Sequence, residues 1–285
     1  FDSPPDGLVA ISRSQASAHP NLPWTIIHNG LTLDRAPFEE RPGDALCFVG
    51  RVDPVKGIVD AMEIASRSGR RLRIAAKVGT VAHEIDYYEH VFKPALKKAG
   101  RNVEYLGELG PADRDALFAD SAATLMPGAW PEPFGLVCIE SLACGTPVLA
   151  RRVGGLPEII REGVDGFFCD DVTAFQFYLE KVPTLDRLAI RNRVIDRFSA
   201  DRMADRYQEL YARMVDEHAI AASRAETATT ASRSQYPDWR GSRVEPRSDS
   251  RADSRSDSRT DSRESRELRE SRARRSQPDS RPTPA

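Results

Sequence analysis

An α/β fold built on a doubly wound, Rossmann-like parallel sheet is predicted by two observations. Between about Gly43 and Leu185, short apolar runs of strand length alternate with segments of helical periodicity. The runs are apolar throughout, as in strands covered by helices on both faces. Right-handed crossovers then wind the sheet both ways, and a ligand is expected at the carboxyl ends of its strands.

The elements follow in order. Ala45–Val49 reads as a buried strand closed by Gly50, and Gly57–Ser68 as a helix with Ile58, Ala61, Met62, Ile64 and Ala65 on one buried stripe. Leu72–Ala76 is a strand, His83–Lys98 a helix, Val103–Leu106 a strand, Ala112–Ala119 a helix and Ala123–Met126 a strand. A helix over Gly135–Ala143, a strand over Pro147–Ala150, a short helix near Pro157–Arg161 and a strand over Gly166–Cys169 close the series. Gly154-Gly155-Leu156-Pro157-Glu158 reads as a tight turn leading into that short helix. Upstream, Leu8–Ile11 and Thr25–Ile27 are strand-like, with a turn of helix over Ser12–Ala18. Downstream, Met203, Tyr207, Leu210, Tyr211 and Met214 recur at three- and four-residue steps, which makes Asp201–Val215 an amphipathic helix that packs back across a domain boundary.

Composition bounds the rest. Of 285 residues 40% are hydrophobic and 29% charged, enough for a core in a chain that is polar overall. No apolar stretch approaches the roughly 20 residues that a membrane-spanning helix needs. The first residue is Phe1, and no basic-then-apolar leader follows it, so no signal peptide is expected. Cys47, Cys138, Cys144 and Cys169 lie in apolar surroundings without a C-x-x-C pair, and are expected to be reduced core thiols in a cytoplasmic protein. From Arg240 onward 13 Arg face 9 Asp plus Glu, a net of +4, which leaves −6 for residues 1–239 of a chain at −2. Neither value indicates a nucleic-acid partner. The tail is near-repetitive Ser, Arg and Asp, and disorder is expected over 218–285, since such text cannot bury enough surface to offset chain entropy.

Two constellations carry chemistry. In Gly50-Arg51-Val52-Asp53-Pro54-Val55-Lys56-Gly57, a strand passes into a helix with two glycines and two cations, suited to a diphosphate held by the Arg51 fork and the Lys56 point charge. A solvated turn with two surface cations is the alternative. In Pro131-Glu132-Pro133-Phe134-Gly135-Leu136-Val137-Cys138-Ile139-Glu140, a loop brings Glu132 to the start of a helix that carries Glu140 inside it. Unsatisfied amides there could receive a phosphate, and the two carboxylates could face a sugar and a ribose. The alternatives are a helix-surface carboxylate for Glu140 and a favourable charge at a helix N-terminus for Glu132. None of the five histidines is assigned to catalysis, and His28, near the inferred crossing between domains, is expected to be structural.

Together these stretches resemble the donor-binding half of a retaining glycosyltransferase of family 4, with a GT-B fold. The match runs from about Leu8 to Val215 and includes CGTPVLARRVGGLPEII, Gly163-Val164-Asp165-Gly166-Phe167, Ala10-Ile11-Ser12-Arg13-Ser14-Gln15 and Ile26-Ile27-His28-Asn29-Gly30. The resemblance implies transfer of a sugar from a nucleoside diphosphate sugar to an acceptor hydroxyl, without a metal or other cofactor. Arg51 and Lys56 would stabilise the leaving diphosphate, and Glu132 would contact the transferred sugar. Gly50 and the amides of Phe134, Gly135 and Leu136 would line the donor site, and Glu140 would take the ribose hydroxyls. It also implies four regions: 1–38, the end of an N-terminal domain and the crossing from it; 39–197, the nucleotide-sugar domain; 198–217, a helix returning toward the N-terminal domain; and 218–285, the tail. The acceptor, of unspecified class, and any peripheral membrane contact would belong to the N-terminal domain, which is nearly absent here. A non-catalytic module that binds nucleotide sugar, or interacts through its tail, is the competing reading.

Overall fold

The computed structural model describes the backbone of residues 7–234 and the side chains of residues 7–227. Strands β1 (Val9–Ala10) and β2 (Thr25–Ile26) pair in parallel around the helical turn α1 (Arg13–Ala16). The chain continues through β3 (Leu46–Arg51), α2 (Ile58–Ser68), β4 (Leu72–Lys77), α3 (Ala82–Tyr87), α4 (Lys93–Ala99), β5 (Val103–Gly107), α5 (Pro111–Ala119) and β6 (Ala123–Met126). It then forms α6 (Leu136–Ala143), β7 (Val148–Ala150), α7 (Leu156–Ile159), β8 (Gly166–Phe168), α8 (Val172–Leu179), α9 (Arg187–Phe198) and α10 (Ala200–Ser234).

β3 to β8 form one parallel sheet in the order β5-β4-β3-β6-β7-β8. The strand met first lies in the middle, so the order reverses between β3 and β6. β3 stays paired with β4 as far as Arg51↔Lys77, yet with β6 only through Cys47↔Thr124. The carboxyl ends of β3 and β6 therefore part, and a crevice opens where a doubly wound sheet binds its ligands.

Helices cover both faces. α2, α4 and α8 pack together on one, α5, α6 and α9 on the other. The stripe predicted for α2 is buried at all five positions, and each fully buried Ile or Met contributes about 1.5–3 kcal/mol. Gly69, left-handed at φ 66°, ends the helix by donating to Ala65 and Ser66 carbonyls. On the opposite face Ile139, Leu142, Val148, Ile190, Val194 and Phe198 form a second cluster.

The expected fold class is the one observed, with local corrections. β3 continues through Gly50 to Arg51, because β4 supplies partners that far. The single helix expected over His83–Lys98 is broken by a π-turn at Tyr88–Phe92. Pro94 lacks the N–H that would bond four residues back, and the wider turn absorbs the gap. α8 and α9 lie beyond the strand expected to close the series; Asp171 and Asp186 cap them by accepting from Ala174 N at 2.8 Å and Ala189 N at 2.9 Å. α10 continues to Ser234, so the disorder expected from residue 218 is corrected for 218–234, and the rest of that tail lies outside the described residues. The five periodic positions of α10 are unequal: Leu210 is buried, whereas Tyr211 is 57% exposed.

Two side chains tie distant segments to this frame. Arg187, at the start of α9, donates to the carbonyls of Glu39 (3.0 Å), Ser121 (3.1 Å) and Ala119 (2.9 Å) and to Thr146 Oγ1 (2.8 Å). Glu158, on α7, accepts from the amides of Arg13 (3.0 Å) and Ser14 (3.1 Å), and lies 3.0 Å from His28 Nε2. Burial alone would raise its pKa, but these bonds outweigh burial and hold it below the usual carboxylate range. His28, expected to be structural, also packs on Phe134 and Phe198, each with ring centroids 5.7 Å away.

Arg187→Ala leaves several buried acceptors without a donor, and should lower stability by about 2–3 kcal/mol in urea unfolding of the whole chain. Because the folded pKa of Glu158 is depressed, its stabilisation is present at neutral pH and lost as pH falls through the lowered value. The stability difference between wild type and Glu158→Gln should therefore be largest at neutral pH and close in acid. A difference independent of pH would refute the assignment.

Candidate functional site

A cleft of about 330 Å3 occupies the crevice at the strand-order reversal. The end of β3 supplies Phe48, Val49 and Gly50, and the end of β6 supplies Leu125 and Met126. The turn after β3 adds Val55 and Lys56, and the loop before α6 adds Gly128, Trp130, Glu132, Pro133, Phe134 and Gly135. Leu136 and Val137 of α6, Leu156 of α7, and Ile11 and Asn29 complete the wall.

Backbone contact sets the positions of the two charged residues. Asp53 accepts from Val55 N at 3.0 Å and caps the turn Pro54–Lys56, which carries Lys56 to the cleft. That turn lies flat on the loop after β6: a Cβ on Gly57 would come within 2.8 Å of Gly128 N, and one on Gly128 within 2.5 Å of Val55 O. Gly155 N donates to Glu132 O at 2.7 Å, and a Cβ on Gly154 would lie 2.2 Å from that oxygen. Gly154 itself is left-handed at φ 57°. The tight turn expected at Gly154-Gly155 thus also serves as the seat of the Glu132 loop. Ser12 Oγ donates to Pro133 O, and Phe134 is buried between His28 and Phe198.

Lys56 Nζ and Glu132 Oε1 form an ion pair across the cleft, with both side chains about a quarter exposed. The first amides of α6 have no partner within the helix, as at any helix start. One cation, one carboxylate and a helix start therefore meet on a cleft with largely apolar walls. That arrangement suits an anionic group joined to one bearing hydroxyls.

Six of the expected residues converge here: Gly50, Lys56, Glu132, Phe134, Gly135 and Leu136. Arg51 and Glu140 are not among the lining residues. Arg51 pairs with Glu84 at 2.8 Å and Asp53 at 3.4 Å, and Glu84 also accepts from Val81 N at 3.4 Å. Glu140 pairs with Arg114 at 3.0 Å, and burial raises its pKa despite that cation. Sequence reading gave no site role to Trp130, 53% exposed on the cleft and one residue before the Glu132 stretch, or to Asn29, which lies within the crossing stretch that it quoted. It also missed Glu84 and Arg114, whose roles depend on contacts distant in sequence. Among the described residues no group of three or more His, Cys, Asp or Glu is placed to hold a metal ion.

Residues 34–188 match the family described as Glycosyl transferases group 1. The glycogen synthase of Mycobacterium tuberculosis is 34% identical over 150 residues, which are 51% of this chain and 36% of that protein. The D-inositol 3-phosphate glycosyltransferase of Mycobacterium bovis is 30% identical over 200 residues, 63% of this chain and 40% of that protein. The chain thus spans well under half the length of these two relatives. Among solved structures, AviGT4, a glycosyltransferase involved in avilamycin A biosynthesis, superposes with a TM-score of 0.59 at 27% identity over 76% of this chain and 66% of its own. Anabaena HepE in complex with UDP shares the fold, with a TM-score of 0.61 at 19% identity over 73% of this chain and 63% of its own. With its matched region spanning more than half of the sequence and its neighbours of the GT-B type, the chain belongs to the group 1 glycosyltransferase family.

Proposed function

We propose that the chain is the donor-binding half of a retaining glycosyltransferase of family 4, which moves a sugar from a nucleoside diphosphate sugar to an acceptor hydroxyl. The observation that carries this reading is the convergence of Lys56, Glu132 and the start of α6 on one cleft at the strand-order reversal. HepE, a neighbour by fold, has been solved with UDP and with UDP-glucose, and the relatives named above are sugar transferases, which supports a nucleotide sugar as donor.

In this reading the donor's diphosphate takes the place of Glu132 as the counter-charge of Lys56, and the first-turn amides of α6 face the same anion. Glu132, released, accepts hydrogen bonds from hydroxyls of the transferred sugar. Arg51 exchanges part of its pairing with Glu84 for a phosphate oxygen, and Glu140 exchanges Arg114 for the ribose hydroxyls. As the bond to the diphosphate breaks, the charge growing on it meets fixed cations and oriented N–H groups. In this reading the transfer needs no metal. The competing reading is a module that binds the nucleotide sugar without catalysing transfer.

Calorimetric titration of the chain with UDP, GDP and ADP, and then with the matching sugar nucleotides, tests both. One base should bind, with the same affinity when a chelator is present, and Lys56→Ala should weaken it by roughly 1.5–3 kcal/mol. Glu132→Ala should spare the bare nucleotide and weaken the sugar nucleotide. If both variants bind every ligand like wild type, the cleft is not the donor site. Donor binding without transfer to any acceptor would favour the module. Gly154→Ala should push the Glu132 loop out of place and reproduce the Glu132→Ala titration while the chain still melts cooperatively.

A further inference from the structure

A second cleft, of about 260 Å3, opens between the crossing segment Ile26–Asn29 and the junction of α9 with α10. Four arginines border it: Arg13 from α1, Arg197 at the end of α9, and Arg202 and Arg206 in the first two turns of α10. No carboxylate is among its lining residues, although the whole chain carries a net charge of −2. Two stretches far apart in sequence, α1 and the junction of α9 with α10, thus deliver the same charge to one hollow.

Only one of the four has a structural task. The Arg197 guanidinium donates to the carbonyls of Ile159 at 3.0 Å and Glu158 at 2.6 Å, closing the end of α7, and stacks on the Phe198 ring at 4.7 Å. Arg206 touches Glu209 at 3.3 Å, but both side chains are about 60% exposed, and such a pair holds weakly. Among the described residues the guanidinium groups of Arg13 and Arg202 have no hydrogen bond or ion pair. Glu158, beside the backbone of Arg13, is taken by His28 and the amides of Arg13 and Ser14.

Like charges gathered with only one weak counter-charge cost stability, and an anion that enters between them removes that cost. Guanidinium forks converging from several sides match the oxygens of phosphate better than a single carboxylate. Ser199 and Asn29 add polar groups to the wall, and Ile26, Met203 and Phe198 give it an apolar part. The volume, below that of typical drug-sized sites, suits a phosphate with a short polyol attached. We infer that this cleft binds a phosphate ester, its anion bridging Arg13, Arg202 and Arg206. The site is separate from the donor cleft, although Asn29 borders both. The ester could be a free metabolite or the head of an anionic lipid.

The test uses the full chain, with glycerol 3-phosphate as the soluble probe and vesicles of phosphatidylcholine with or without phosphatidylglycerol as the lipid probe. Arg13→Gln with Arg202→Gln should weaken binding at least about tenfold, because two charge-assisted contacts are lost. Arg67→Gln, which removes an exposed arginine paired with Glu63 elsewhere on the surface, should leave binding unchanged. The Lys versions at positions 13 and 202 should retain part of the binding, and affinity should fall as salt is raised. Saturable binding of glycerol 3-phosphate without vesicle co-sedimentation identifies a soluble ester. Co-sedimentation only with phosphatidylglycerol identifies a lipid. No binding in either arm, or binding that the double Gln variant keeps, overturns the inference. UDP titration of the same variant keeps the two sites distinct, since failure here leaves the donor reading untouched and failure there leaves this one untouched.

Discussion

Contact of backbone with backbone at the strand-order reversal is the constraint on which the rest of the site depends. The turn after β3 presses on the loop after β6 at Gly57 and Gly128, and the turn after β7 presses on the loop before α6 at Gly154 and Glu132. A side chain at these positions would separate the loops by more than the tolerance of a packed interior. With the loops in contact, Lys56 and Glu132 are brought within bonding reach although 76 residues of sequence separate them. The sheet supplies the other half of the constraint. β3 and β6 stop pairing before their ends, so the loops meet above an open crevice and not above closed backbone.

Every charged residue expected to act on a ligand is already paired with protein: Lys56 with Glu132, Arg51 with Glu84 and Asp53, and Glu140 with Arg114. A half-buried charge without a partner would cost more than the pair costs to form, so these cations and carboxylates are held in place by being set against each other. A ligand with both an anionic and a hydroxyl-bearing part can replace each partner in kind. A ligand with only one part leaves the other residue unpaired. This asymmetry separates a sugar nucleotide from a bare phosphate more sharply than the count of contacts does.

Much of this was legible in the sequence because it is local. The buried stripe of α2, the uniformly apolar strands and the glycines of the βα turns each show their role within a dozen residues. Pairing by β4, distant in sequence, extended β3 past Gly50. α8 lies in text rich in aromatic and β-branched residues, where strand and helix patterns are hard to tell apart. At the site, Lys56 and Glu132 could be named from their stretches. That Arg51 leans on Glu84, or that Glu140 meets Arg114, follows only from tertiary contact, which no spacing along the chain encodes.

The crossing segment joins these parts in a way that neither the sheet nor the loops would require. His28 is held by Glu158 on one side and by Phe134 and Phe198 on the other, so it clamps α7, the Glu132 loop and the end of α9 at one point. Phe134 follows Glu132 by two residues, and Ser12 holds Pro133 between them. A shift of the crossing segment would therefore be felt at Glu132 through rigid, buried neighbours and not through solvent. Asn29, next to His28, borders the donor cleft and the arginine-lined cleft alike. An anion drawn between Arg13 and Arg202 would hold α1 against α10 across this same segment. The proposed second site thus bears on the geometry of the first through contacts already present, without any need for the two ligands to touch.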